Sequence, residues 1–152
     1  VYIDGASKGN PGEGACGAIF MDENGNVVAE EGRVLGTCTN NFAEYSSLHL
    51  ALSTAKRYNA EEIEIYTDSM LLVKQFNGEY KINNKSLKEL MEIIKEEVKK
   101  FKKVTLNYIP RNQNKKVDRF VNSLLKMKKL KGTERKKLQR EREEKFKQGE
   151  LF

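Results

Sequence analysis

Four carboxylates stand where the sequence predicts that strands end or helices begin. Asp4 and Asp68 each follow a short β-prone run, whereas Glu44 and Asp118 fall in the first turns of two predicted helices. In sheets flanked by helices, such ends tend to meet at one edge of the sheet. Four acids at one edge repel each other unless cations neutralise them, and oxygen ligands favour Mg²⁺ or Mn²⁺ over Zn²⁺. Because two such ions about 4 Å apart can cut a phosphodiester, the pattern predicts a metal-dependent hydrolase.

The hydrophobic pattern predicts the elements that position these acids. Alternating and helical spacings predict, in chain order, strands at 1–3, 15–20 and 27–35, a helix at 41–58, a strand at 63–67, helices at 70–76 and 86–101, a strand at 104–108 and a helix at 117–125. Three strands followed by alternating helices and strands fit an α/β fold, a mixed sheet with helices packed on its faces.

Local signals predict how several of these elements begin and end. Residues 7–12, rich in Gly and Asn, predict a turn, so the first strand should end at Asp4. Asn24-Gly25 favours a tight hairpin between the second and third strands. Asn40 or Asn41 could cap the first long helix, and Ser86 with Glu89 is spaced as a capping box for the second.

Composition and charge narrow the function classes. The 152-residue chain, 38% hydrophobic and 33% charged, is typical of one soluble globular domain. Residues 1–118 carry 16 basic and 17 acidic side chains and residues 119–152 carry 12 and 5, so the excess positive charge lies in the tail and favours a polyanionic partner. Cys16 and Cys38 are predicted to be reduced core thiols. No apolar run predicts a membrane span or an export signal, so we expect a cytoplasmic protein.

Four segments resemble the signature motifs of type 1 ribonuclease H, in the same order and at similar spacing. They are Asp4-Gly5-Ala6-Ser7-Lys8-Gly9-Asn10-Pro11-Gly12, Thr39-Asn40-Asn41-Phe42-Ala43-Glu44, Thr67-Asp68-Ser69 and Asn114-Lys115-Lys116-Val117-Asp118-Arg119, within a resemblance over residues 1–127. The resemblance implies a five-stranded mixed sheet of order 3-2-1-4-5, with three antiparallel strands first and helices on both faces. It also implies cleavage of the RNA strand of RNA–DNA hybrids, giving 5′-phosphate and 3′-hydroxyl ends.

The same resemblance implies a separate role for each carboxylate. Asp4 would bridge two Mg²⁺ ions, for which Mn²⁺ could substitute. Asp118 would join it on the ion that activates the attacking water. Glu44 and Asp68 would hold the ion that faces the leaving 3′ oxygen. No protein nucleophile is required by such a mechanism.

Recognition of a hybrid requires short polar side chains that detect 2′ hydroxyls on one strand. By their match to the family motifs, the candidates for RNA contacts are Asn10, Asn40, Asn41 and Gln75, with Met70 as a packing contact. Thr39 and Asn84 match a pocket that holds a phosphate of the DNA strand, and Asn114 matches the motif position four residues before the last acid. Asn10 and Asn84 could instead serve only in turns, and Asn40 as a helix cap.

The sequence departs from many family members at two places. It lacks a basic, Trp-containing protrusion after the second acid and a histidine loop before the last one, and so resembles the compact members of archaea and some bacteria. The only histidine, His49, lies in a predicted helix and is not expected to act in catalysis. Arg111 or Asn114 would have to assist product or metal release, if any residue does.

The basic tail leaves two interpretations open. We divide the chain into a catalytic domain at 1–130 and a charged tail or solvated helix at 131–152, which either adds affinity for the hybrid or serves solubility. We expect a monomer with an RNA–DNA hybrid as partner, without a membrane or an obligate protein partner. The alternative function is a catalytically weak nucleic-acid-binding module with the same fold, which the four intact acids disfavour.

Overall fold

The computed structural model describes residues 1–128 and 139–144. Its elements are, in chain order, β1 (Tyr2–Gly9), β2 (Gly12–Met21), β3 (Val27–Cys38), α1 (Asn40–Arg57), β4 (Glu62–Thr67), α2 (Met70–Phe76), α3 (Lys85–Val98), β5 (Lys103–Tyr108) and α4 (Lys115–Lys128). A 3₁₀ turn at Arg111–Gln113 precedes α4. Every predicted strand and helix is present, although several ends differ from the prediction.

The five strands form one sheet in the order β3-β2-β1-β4-β5. β1, β2 and β3 are antiparallel neighbours, whereas β4 runs parallel to β1 and to β5. The expected mixed sheet and its strand order are therefore confirmed. The carboxyl ends of β4 and β5 lie at one edge of the parallel part, where Thr67 pairs with Tyr108.

Strand β2 separates two apolar cores, because successive side chains of a strand point to opposite faces. Ala18 and Phe20 lie in the larger core, which is completed by side chains of α1, α2 and α3. Ala15 and Ile19 lie in the smaller core, under α4. Helices thus cover both faces, as predicted, and the two cores fix the helices that carry Glu44 and Asp118.

Strand β1 is longer than the sequence predicted. It pairs with β2 from Tyr2 to Gly9, so the predicted turn over residues 7–12 shrinks to Asn10 and Pro11. Asp4 therefore lies inside β1 and not at its end. β1 pairs with β4 only at Tyr2, opposite Tyr66, so Asp4 still stands where the parallel part of the sheet stops.

The connection between β2 and β3 also differs from the prediction. The strands are joined across Asn24-Gly25 as predicted, but five residues separate Met21 from Val27, so the turn is wider than a tight hairpin. The Asp22 carboxylate accepts hydrogen bonds from the backbone N–H groups of Asn24 and Asn26, both at 2.9 Å. These bonds organise a wider loop, in which Gly25 takes the positive φ of +81°.

Both predicted helix caps are displaced by a few residues. The N-cap of α1 is Thr39, whose Oγ1 accepts from the Phe42 N–H at 3.1 Å, so neither Asn40 nor Asn41 serves. The N-cap of α3 is Asn84, whose Oδ1 accepts from the Leu87 N–H at 3.0 Å, which replaces the predicted capping box. Each cap satisfies a first-turn amide and stabilises its helix by about 1 kcal/mol.

Residues 139–144 pack back onto the domain. The Arg142 guanidinium donates to the Glu30 carboxylate of β3 at 3.0 Å and lies 4.8 Å from the centre of the Phe120 ring of α4. Both partners of the ion pair are largely buried. The predicted boundary at 130/131 and the rest of the predicted tail lie outside the described residues, so the division of the chain stays a prediction.

Candidate active site

The site begins at Asp4, where β1 leaves β4. Because β4 does not pair with β1 beyond Tyr2, the Ile3 carbonyl is open to another donor, and the Asn114 Nδ2 donates to it at 2.9 Å. The Asp4 side chain is 5% exposed. Its carboxylate is thus held in the gap between the antiparallel and parallel halves of the sheet.

Helix α1 brings Glu44 to this gap by lying directly on Gly5. A Cβ atom at Gly5 would stand 2.1 Å from the Ala43 carbonyl oxygen and 2.5 Å from the Glu44 nitrogen, so only glycine permits this approach. Glu44 lies in the second turn of α1 and not in the predicted first turn, because the helix begins at Asn40. Its side chain is 8% exposed.

Asp68 and Asp118 approach from the other side of the gap. Asp68 follows directly on the end of β4, as predicted, and its Oδ2 accepts from Asn114 Nδ2 at 3.2 Å. Asp118 lies in the first turn of α4 within hydrogen-bonding reach of the Asp4 carboxyl group. Asn114, itself 2% exposed, therefore links Asp68 to β1 by hydrogen bonds to both.

The acids form one cluster. Asp4, Glu44 and Asp68 each offer a carboxylate oxygen, and these three oxygens lie within 4.8 Å of one another. Asp118 joins the cluster through Asp4. The structure thus brings together all four acids singled out in the sequence, from β1, α1, the end of β4 and α4. Their roles in binding metal and in catalysis stay predictions.

Burial and mutual repulsion dominate the electrostatics of the cluster. Burial, followed by the charges of Asp68 and Asp118, raises the pKa of the Asp4 carboxyl from 3.8 to about 8. Burial, followed by the charges of Asp4 and Asp68, raises the pKa of Glu44 well above its usual range, and the Arg111 guanidinium opposes that rise. The cations of residues 1–128 and 139–144 therefore leave this cluster poorly compensated.

The donor set fits a hard divalent cation. Asp4 Oδ2 and Glu44 Oε2 are buried and accept no hydrogen bond from the described residues. Buried carboxylate oxygens without donors cost free energy, which a bound cation would recover. An all-oxygen set of carboxylates suits Mg²⁺ or Mn²⁺, and Cys16, Cys38 and His49 lie outside it.

The predicted RNA contacts Asn10 and Asn40 form an interlocked pair beside the cluster. Asn10 Oδ1 accepts from the Asn40 N–H at 3.1 Å, and Asn40 Oδ1 accepts from the Ser7 N–H at 3.2 Å. These bonds dock the β1–β2 turn on the start of α1 and occupy both side-chain carbonyls. Asn41 is exposed next to them. All three stay predicted contacts.

The other predicted contacts lie on or beside α2 and α3. Met70 is 45% exposed in the first turn of α2, close to Asp68. Gln75 is engaged within the protein: the Tyr45 hydroxyl donates to its Oε1, and its Nε2 donates to the Lys81 carbonyl at 3.1 Å. Asn84, like Thr39, uses its side-chain oxygen as a cap. Contacts of these residues with a nucleic acid stay predictions.

Sequence reasoning missed Tyr45, the residue after Glu44. It is 1% exposed, and its hydroxyl connects α1 to α2 through Gln75. A tyrosine within the apolar stripe of a helix was the available signal, since a buried hydroxyl needs a partner. His49 faces Arg33 and Glu97, and burial with the Arg33 charge lowers its pKa.

Known protein sequences match this chain over most of its described residues. A family model described as reverse transcriptase-like matches residues 2–124. Ribonuclease HI of Halobacterium salinarum is 36% identical over 124 residues, which cover 82% of this chain and 62% of that protein. A bifunctional protein of Mycobacterium tuberculosis is 32% identical over 126 residues, which cover 82% of this chain and 35% of that protein. The chain thus spans less than two thirds of these relatives.

Solved structures share the fold at similar identity. The crystal structure of RNase H1 from Halobacterium salinarum matches with a TM-score of 0.80 and 36% identity, covering 82% of this chain and 95% of that one. LC11-RNase H1, solved in complex with an RNA/DNA hybrid, matches with a TM-score of 0.76 and 34% identity, covering 80% and 92%. None of the helices in 1–128 and 139–144 has the length and apolar character to cross a membrane.

Proposed function

Because this chain belongs to the type 1 ribonuclease H family, we propose that it cuts the RNA strand of RNA–DNA hybrids internally, leaving 5′-phosphate and 3′-hydroxyl ends. The observation that carries the proposal is the carboxylate cluster. Oxygens of Asp4, Glu44 and Asp68 lie within 4.8 Å of one another, and two of the acids have buried oxygens without a donor among the described residues. A relative of similar fold was solved with an RNA/DNA hybrid, which supports the choice of substrate.

The four acids would hold two Mg²⁺ ions, with Mn²⁺ as a substitute. When bound, such ions supply an activated water and stabilise the charge on the leaving oxygen. The protein's own contribution is to hold the ligands in place. Gly5 admits α1 close enough for Glu44 to reach Asp4, and Asn114 fixes Asp68 against β1. Arg111, whose charge acts on Glu44, is the candidate to assist release of product or metal.

Recognition of the hybrid is assigned to polar side chains around the cluster. Asn10 and Asn40 use their carbonyls within the protein, so each keeps an amide group that could donate to a 2′ hydroxyl. Asn41 would add a third contact to RNA, and Met70 would pack on the same strand. Gln75 would contact RNA with the remaining hydrogen of its Nε2.

The phosphate pocket for the DNA strand would use two capping residues. Thr39 and Asn84 stand at the N-termini of α1 and α3, where first-turn amides favour an anion. Asn84 Nδ2 has no acceptor among the described residues and is available as a donor. We propose further that Asn114 contacts substrate and that residues 1–130 form the catalytic domain. In the same proposal the protein is a monomer and is located in the cytoplasm.

A side-by-side cleavage assay tests the proposed function. End-labelled RNA–DNA hybrid, RNA–RNA duplex and single-stranded RNA would be incubated with the protein in Mg²⁺ and in Mn²⁺. We expect cleavage of the hybrid, with products that a polymerase can extend from their 3′ hydroxyls. Binding of the hybrid without cleavage would favour the alternative of a binding module. Equal cleavage of single-stranded RNA would contradict the assigned substrate.

A further inference from the structure

The Tyr45 hydroxyl is a buried polar group that the mechanism above does not use. Tyr45 follows Glu44 on α1 and is 1% exposed. Its hydroxyl donates to Oε1 of Gln75 on α2. A partnered hydroxyl in the core fixes the orientation of both groups.

Gln75 extends this link to the loop between α2 and α3. This connecting loop comprises residues 77–84, and Gln75 Nε2 donates to its Lys81 carbonyl at 3.1 Å. Both ends of one carboxamide are therefore engaged: the oxygen by α1 and the nitrogen by the connecting loop. A glutamine held at both ends cannot rotate without breaking one of the two bonds.

The other hydrogen bonds of the connecting loop attach it to α2 and, through the Asn84 cap, to α3. The Glu79 and Tyr80 N–H groups donate to the Lys74 carbonyl at 2.9 and 3.2 Å, and Lys74 Nζ lies 3.6 Å from the Glu79 carboxylate. Within the described chain, the Tyr45–Gln75 bond is the hydrogen bond that connects this assembly to α1. Helix α1 carries Glu44, so the bond links the position of the connecting loop to the position of the carboxylate cluster.

The connecting loop presents groups suited to a polyanion. Tyr80, Lys81, Asn83 and Asn84 are exposed, and Lys85 follows them at the start of α3. A cation, two amides and an aromatic ring can contact phosphate, sugar and base. Their value for binding depends on where the loop holds them, since an ordered loop loses less entropy on binding than a loose one.

We propose that Tyr45 is a positioning residue for substrate: through Gln75 it fixes the connecting loop relative to the carboxylate cluster and so sets the affinity for the hybrid. Tyr45 touches neither substrate nor metal in this role. The inference rests on the proposed function for the identity of the substrate, but the positioning itself is a property of the free protein.

Tyr45→Phe is the direct test, because it removes the hydroxyl and keeps the ring in the core. Fluorescence anisotropy of a labelled RNA–DNA hybrid, with Ca²⁺ in place of Mg²⁺, would give Kd without requiring cleavage. We expect Kd to rise about fivefold, which corresponds to one typical hydrogen bond of about 1 kcal/mol. In Mg²⁺, KM should rise by a similar factor while kcat stays within about twofold.

Hydrogen exchange of the free protein provides a readout that a merely structural role would not move. In Tyr45→Phe, the amides of Glu79 and Tyr80 should exchange faster, while those of β2 keep wild-type protection. Gln75→Leu should give the same pattern, and the double variant should be no worse than Gln75→Leu, because both act through one chain of bonds. Tyr66→Phe is the matched control, since its hydroxyl bonds Glu64 on β4.

The outcomes separate failure of this inference from failure of the proposed function. Wild-type Kd and unchanged exchange in the loop would overturn the role of Tyr45. A loss of thermal stability without a change in Kd would overturn it as well. If the wild type binds the hybrid but does not cut it, the proposed activity fails, while Kd and exchange still decide whether Tyr45 positions the loop.

Discussion

Replacing Gly5 with alanine tests how closely α1 must approach β1. The added Cβ would lie 2.1 Å from the Ala43 carbonyl oxygen, whereas ordinary contacts start near 3.4 Å, so the backbone of α1 has to retreat by about 1.3 Å. The atoms in the way belong to the main chain and cannot swing aside. Overpacking of this kind costs about 1–3 kcal/mol of stability.

Gly5→Ala should also slow catalysis. Retreat of α1 carries Glu44 away from Asp4, and misplacement by about 1 Å costs roughly 100-fold in rate. We therefore expect kcat for hybrid cleavage in saturating Mg²⁺ to fall about 100-fold, and Tm to fall by several degrees.

Gly25→Ala is the matched control for this experiment. Gly25 has a φ of +81° and no atom within 4 Å of an added Cβ, so alanine there strains the backbone by about 1 kcal/mol without touching the site. Its Tm should fall while kcat stays within about twofold of wild type. If Gly5→Ala keeps wild-type kcat and Tm, the close approach of α1 does not control the cluster.

Three further predictions concern the groups around the site and the tail. Burial raises the pKa of Glu30 from 4.5 to about 7, although the Arg142 charge opposes the rise. The free energy of unfolding of the wild type therefore falls as pH rises from about 4.5 to above 7, and Glu30→Gln should remove up to about 3 kcal/mol of this fall in urea titrations. Parallel curves of unfolding free energy against pH for the two proteins would contradict this prediction. Arg142→Ala should lower Tm through loss of its contacts with Glu30 and Phe120 and leave kcat unchanged, whereas an unchanged Tm would show that the tail does not pack there. Asn114→Ala should lower kcat at least tenfold, because it releases Asp68 without removing a ligand; a wild-type kcat would remove Asn114 from its supporting role.

The sequence was sufficient for the fold because patterns and motifs are local. Hydrophobic periodicity located each strand and helix, and the motifs around the four acids implied the sheet order. The same locality explains the errors at Asp4 and at the helix caps. The sequence cannot show that β2 extends the pairing of β1 beyond Asp4, nor that Thr39 and Asn84 outcompete neighbouring side chains for the first-turn amides.

The sequence could not predict the hydrogen bonds that Gln75 and Asn114 make in the folded chain. Gln75 matched a motif for contacting RNA, yet in the folded chain both ends of its carboxamide are held by Tyr45 and Lys81. Asn114 was predicted to contact substrate or to assist release, and its bonds to Ile3 and Asp68 add a supporting role that the motif did not indicate. Apart from Lys81, which is 6 residues from Gln75, these partners lie 30 or more residues away in sequence, where no periodicity connects them.

The most direct test of the central claim is Mg²⁺-dependent cleavage of a labelled RNA–DNA hybrid by Asp68→Asn. The substitution removes one charge from the cluster at nearly constant shape and keeps an oxygen that can accept from Asn114. Glu62→Gln, which neutralises an exposed acid at the start of β4, is the control. We expect Asp68→Asn to fold without cutting the hybrid, whereas Glu62→Gln should cut it like the wild type. Undiminished cleavage by Asp68→Asn would contradict the assignment of the carboxylate cluster as the active site.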